Sequence, residues 1–272
     1  MNIRIGYDLT FDVPAPTAMI VMLYVHPERA GDLIGRERII TDPETVIEDF
    51  TDPFGNRCGR LVAPAGTFRL RDEQIIRDSG ELEPRDPSAS QIPVQDLPAD
   101  ALQFLYASRY CEVDRFNDIA WKLFGNTQEG WPRVQAICDW VHANTKFDYA
   151  CARPTMTSWE LYNEHAGVCR DFTHLAITFC RCMNIPARYA TGYLGDIGVP
   201  PDPNPMDFAA FMEVYLGSRW WPVDVRHNAR RIGRVLMARG RDAVDVALTT
   251  SFGNTKLVGF KVITEEVRED DE

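Results

Sequence analysis

The sequence predicts an α+β fold: a small all-β sandwich, then a second unit of helices followed by an antiparallel sheet. Three observations predict it. Apolar residues alternate with a period of two from residue 3 onward. A proline-rich segment interrupts the chain between residues 81 and 100. Beyond it the apolar period lengthens to that of a helix and later returns to two. The expected division is therefore a β-sandwich domain at 1–80, a linker at 81–100 and the second domain at 101–272. At 272 residues, 45% of them hydrophobic, the chain is long enough to bury a core in each.

The elements follow in order. Ile3, Ile5, Tyr7, Leu9, Phe11 and Val13 give a strand with one buried face, which Pro14 to Pro16 ends. Ala18 to Val25 is a second, almost wholly apolar run. Shorter β segments are expected around 38–41, 46–50, 60–63 and 67–70, separated by turn chemistry such as Asp52-Pro53-Phe54-Gly55-Asn56. No helical period is visible before residue 95. The linker ELEPRDPSASQIPVQDLPAD carries four prolines and should lie semi-extended over the surface. Helices are expected over 115–124, 131–142 and 159–162. The longest and most apolar is expected over 169–183, stopped by Ile185-Pro186. Strands are expected over 187–192, 207–216, 219–225 and 257–264, with Gly217-Ser218 as a hairpin turn.

Charge and composition narrow the function. With 29 basic against 40 acidic residues the chain carries −11, which repels phosphate and makes nucleic acid or an anionic membrane a poor partner. No apolar run reaches the ~20 residues of a membrane span. The alternating start lacks the basic stretch and apolar block of a signal peptide. The seven cysteines are scattered and odd in number, as expected for reduced thiols in a bacterial-type cytoplasm. The closing EEVREDDE reads as a solvated acidic tail.

The segment AGVCRDFTHL, residues 166–175, is the most informative in the chain. Cys169 stands at the first turn of a buried helix, where unpaired N–H groups and the helix dipole favour a thiolate. The same amides suit the charge that builds on a carbonyl oxygen under attack. The bland alternative is a small core residue. Neither a phosphate loop nor zinc-type spacing appears, because Cys180 and Cys182 diverge by ~200° around a helix, so no cofactor or metal is expected. Four arginines at 231, 234, 239 and 241 suggest a local salt-bridge network rather than an anion site. Tyr215, Trp220 and Trp221 are either core or the wall of a groove.

The run GVCRDFTHLAITFCRCMNIPARYATGYL, followed by AAFMEVYLGSRWWPVDVRHN, resembles the core of the transglutaminase-like family. There Gly-x-Cys-x-[Asp/Ser/Glu] opens the nucleophile helix and Ile-Pro-Ala-Arg-x-x-x-Gly-Tyr follows as a strand. Residues 1–80 look like the β-domain found ahead of bacterial members. The resemblance implies a papain-like core, a Cys-His-Asp triad and acyl-transfer chemistry on peptide or protein substrates, as in cross-linkers, peptidases and amidases. Hydrolysis of a peptide or amide is expected ahead of cross-linking, since water outcompetes amines unless an acceptor site excludes it.

Carried over by position, Cys169 matches the nucleophile and Asp224 the acid. The histidine falls on Ala209. Losing one member of such a unit commonly costs about 10³- to 10⁶-fold in turnover. Either the chain is an impaired or inactive member that binds peptides, or another residue is the base, or position 209 is an engineered change. His227 is the substitute to examine, because an ordinary hairpin register sets position 209 opposite residues 224 to 227; its other description is an exposed loop histidine. Asp207 shares a strand face with 209 and would oppose a thiolate. His174 is rotated ~140° from Cys169 on the helix, and His26, His142 and His165 show no catalytic arrangement.

Overall fold

A computed structural model describes residues 1–267. The strand Asn2–Val13 buries its odd positions almost completely, as its alternation requires, and lies in the middle of the first sheet. Gly66–Arg77 pairs antiparallel on one side of it and Lys256–Val267 on the other. A facing sheet has the order Thr249–Ser251, Thr17–Val21, Arg57–Ala63, Glu48–Thr51. Phe11, Met19, Val21, Leu61, Phe68 and Leu70 fill the space between them. The sandwich is therefore present, but its last strands come from the far end of the chain. Segment 257–264, expected as a strand of the second sheet, instead pairs with the first strand in the sandwich, because period two identifies a strand without naming its partner. Of the closing acidic run, Glu265 to Val267 belong to this strand and residues 268–272 lie outside the described residues.

One helical turn precedes residue 95, against expectation. It is a 3-10 turn at Pro27–Asp32, with a proline at its start and His26 capping it by accepting the Glu28 N–H at 3.2 Å. The linker runs without regular structure to a short 3-10 turn at Val94–Asp96 and one helical turn at Ala99–Leu102. It is tied down along its length, Leu82 bridging Ile232 and Ala89 accepting from the Trp131 N–H.

Helices Val113–Phe124, Trp131–Asn144 and Ser158–Glu164 surround the helix Cys169–Cys182. Every residue from Asp171 to Cys182 is buried, and the polar ones among them are hydrogen-bonded, Thr173 to the Cys169 carbonyl, Thr178 to that of His174 and Arg181 to that of Ala187. Its other side lies on a sheet ordered 219–223, 209–216, 187–193, 235–240. The hairpin turn uses positive φ at both Gly217 (56°) and Ser218 (67°), matching the twist of the strands it joins. The edge strand Val235–Gly240 went unrecognised in the sequence, because its arginines hid a run of four buried residues, Val235 to Ala238.

Candidate active site

The entry to the cysteine helix is fixed by its own motif. Asp171, 1% exposed, accepts the Val168 N–H through Oδ2 at 2.9 Å and receives Arg170 on Oδ1 at 3.1 and 3.0 Å. The carboxylate can approach this closely because residue 167 is glycine. A Cβ there would sit 2.8 Å from Asp171 Oδ2 and 2.8 Å from Leu161 Cδ1. Gly167→Ala is accordingly expected to destabilise the fold by about 1–3 kcal/mol and to slow alkylation of Cys169. A urea midpoint and peptide-resolved iodoacetamide labelling measure the two effects.

Cys169 begins the helix with its side chain half-buried and lines a pocket of about 140 Å³ with Tyr149, Asp207, Ala209, Arg226 and His227. Burial pushes the thiol up. The Ala210 backbone N–H and Arg226 work against that, while the carboxylates of Asp207 and Asp224 add to it. Asp207 accepts the Phe208 N–H at 2.7 Å, and burial raises its own carboxyl.

Asp224 ends the strand Arg219–Val223 and opens a tight turn. Its Oδ1 accepts the His227 N–H at 2.9 Å, and its Oδ2 meets His227 Nδ1 at 2.9 Å and Arg234 Nη2 at 2.6 Å. Burial by itself would raise this carboxyl, but Arg234 and His227 outweigh it and hold Asp224 well below the usual carboxylate range. An ionised carboxylate can only accept, so Nδ1 carries a proton, and in the neutral ring the lone pair is then on Nε2. Asn228 closes the turn at φ 49° and is bolted to the helix Trp131–Asn144 by Asp139 at 2.8 Å and Gln135 at 3.0 Å. His227 does stand in a turn, as a loop histidine would, but its ring is only part-exposed and is bonded to Asp224. The signal available in the sequence was Asp-x-x-His-Asn, in which an aspartate reaches forward to a side chain three residues on and asparagine accepts the left-handed position.

The hairpin register, Met212↔Val223 to Leu216↔Arg219, runs toward position 209 as expected. The remaining candidates lie elsewhere. His174 is fully buried between Tyr110 and Tyr189 and accepts the Ala243 N–H at 3.1 Å. His142 and His165 bond to the carbonyls of Arg226 and Asn144. Trp221 donates to the Leu216 carbonyl and Trp220 packs on Phe104 and Tyr215, so these rings are packing and not part of the Cys169 pocket. The arginines form the network anticipated: Arg234 with Glu83 and Asp224, Arg239 with Glu28 and Glu213, Arg241 with Asp245, Arg231 with Asp196. Among the described residues no three His, Cys, Asp or Glu side chains converge as metal ligands, and no helix is long and apolar enough to cross a membrane.

Residues 117–225 match the family model described as the transglutaminase-like superfamily. The chain is 32% identical to a Cytophaga hutchinsonii protein whose crystal structure is named "a putative cysteine protease". That likeness covers 99% of this chain and 92% of the other with a TM-score of 0.85. An uncharacterized protein of Mycobacterium leprae (strain TN) is 29% identical over 223 residues, 77% of each chain. With sequence motif, family model and a full-length structural relative in agreement, this chain belongs to the transglutaminase-like superfamily.

Proposed function

We propose that the protein hydrolyses peptide or amide bonds through Cys169, with His227 as the base and Asp224 orienting it. The observation that carries this is the 2.9 Å contact between His227 Nδ1 and Asp224, made by a ring that lines the same pocket as Cys169. Alanine at 209 suits this arrangement, because a second imidazole there would compete for the same space. The thiol is pushed up by burial and by two carboxylates, which favours the neutral thiol before substrate binds.

The proton then moves with the attack. Nε2 takes the Cys169 proton as sulfur bonds to the carbonyl carbon, and the Cys169 N–H, which precedes the helical ladder, faces the developing oxyanion charge. The C–N bond breaks as Nε2–H gives its proton to the leaving amine. Water, deprotonated by Nε2, then attacks the thioester and releases a carboxylic acid and the Cys169 thiol. Peptide or protein substrates fit the family and the cysteine-protease name of the full-length relative. Seven free cysteines fit a reducing compartment such as the cytoplasm.

The rival is a catalytically impaired, peptide-binding member, favoured by Ala209 and the raised thiol. A mixture of peptides and peptide amides, with and without a fluorescent primary amine, separates the readings. Mass spectrometry should find water added to cleaved products, little amine incorporation, and no reaction with Cys169→Ala. Unchanged peptides at high enzyme concentration, together with retained peptide binding, would overturn the hydrolase proposal.

A further inference from the structure

We propose that Glu83, in the proline-rich linker, is a positioning residue that sets the charge state of the Asp224–His227 pair through Arg234. This rests on the Cys169–His227–Asp224 assignment above. Arg234 is buried at 8% exposure with its guanidinium over the Phe211 ring. One edge of the guanidinium donates to Asp224 Oδ2 at 2.6 Å, on the same oxygen that receives His227. Its Nε donates to Glu83 Oε1, while Glu83 Oε2 accepts the Arg231 N–H at 3.0 Å. Arg230 clamps the Glu83 and Leu82 carbonyls from outside. Linker, guanidinium, acid and imidazole form one unbroken chain of charge-assisted contacts.

The chemistry gives this chain a sign. Arg234 has two carboxylates to neutralise it, so its positive charge keeps Asp224 ionised without bearing fully on His227. If Glu83 becomes neutral, the guanidinium is left half-compensated and disfavours the imidazolium. Other charges also face His227. Arg226 lies on its own turn and is paired with Asp202, and Arg231 faces Asp196 at 3.7 Å. Asp207 approaches from the loop just before the strand Ala209–Leu216, Cys169 from the helix and Tyr149 from the 3-10 turn Tyr149–Cys151. Of these only Arg231 also touches Glu83, through its backbone N–H, and the side-chain oxygen of Glu83→Gln can still accept that bond.

The test is an NMR titration of the five histidine rings in the unmodified protein, Glu83→Gln and Glu83→Asp, with His227 assigned by its loss in His227→Gln. The midpoint of His227 should fall by about 0.5–1 pH unit in Glu83→Gln and return toward its original value in Glu83→Asp. His165, whose ring bonds the Asn144 carbonyl away from this chain of contacts, should not move. A purely structural Glu83 would lower the melting temperature and leave the midpoint in place; that result, or a rise, overturns the proposal. The readout needs no substrate, so it fails independently of the hydrolase assignment. Loss of turnover in Cys169→Ala and His227→Ala tests that assignment separately.

Discussion

His227→Ala is expected to lower Cys169-dependent hydrolysis by about 10²- to 10⁴-fold, the usual worth of a positioned general base. The fold should survive, because the ring is part-exposed and the Asp224 carboxylate keeps Arg234 as a partner. Reactivity of Cys169 toward iodoacetamide should respond as well. In the unmodified protein labelling should be slow at about pH 6, since burial and the Asp207 and Asp224 charges push the thiol up. Ala209→His alone should gain little, because the position where it would bond Asp224 is taken. In the His227→Ala background the same change should restore a measurable part of the rate. Equal turnover in the unmodified protein and His227→Ala would show that His227 is not the base.

Asp224 should be more costly still, because it serves both reactivity and stability. Asp224→Asn keeps the shape but supplies an amide that can donate to Nδ1, moving the ring proton to Nε2 and removing the lone pair that accepts from Cys169. A loss of about 10⁴-fold is expected, as for other triads held in the wrong tautomer. Asp224→Ala adds a structural penalty of about 3–5 kcal/mol, the cost of leaving a buried cation without one of its partners, read as a drop in the urea midpoint. The acid side of the stability curve follows the same carboxyl. Its folded value lies well below the usual range, so its contribution is complete above the unfolded carboxyl value of about 3.9. It is lost as the pH falls toward the depressed folded value. The unmodified protein should therefore lose stability on acidification below about pH 4 more steeply than Asp224→Asn.

Cys169 and Asp224 were legible because their neighbours are constrained locally. Gly167 admits Asp171, Asp171 fixes the helix entry, and the helix behind is buried on every side, so the motif can be recognised in one stretch. His227 was harder to see. Its two possible descriptions differ by the direction of one ring, and that direction is set by Asn228, held from Asp139 and Gln135, residues 89 and 93 positions away. Glu83 carried no signal at all, since an acid in a proline-rich linker resembles any solvated charge until Arg234 is seen beside it, 151 residues later.

By itself the sequence determined most N-terminal strands of the sandwich, though not Leu33–Ile34 or Thr249–Ser251, the four longer helices of the second half, the central place of the helix at 169–182 and the absence of a histidine at 209. These follow from side-chain period and local backbone restriction, which act over a few residues. Tertiary structure alone decided that strand 256–267 returns to pair with the first strand, that 235–240 completes the second sheet, and that imidazole, carboxylate, guanidinium and linker acid meet in one line. Period specifies which face of a segment is buried. Which other segment covers that face, and which opposite charge neutralises a buried ion, is settled only when the whole chain packs, because burial makes an unpaired charge too costly to leave.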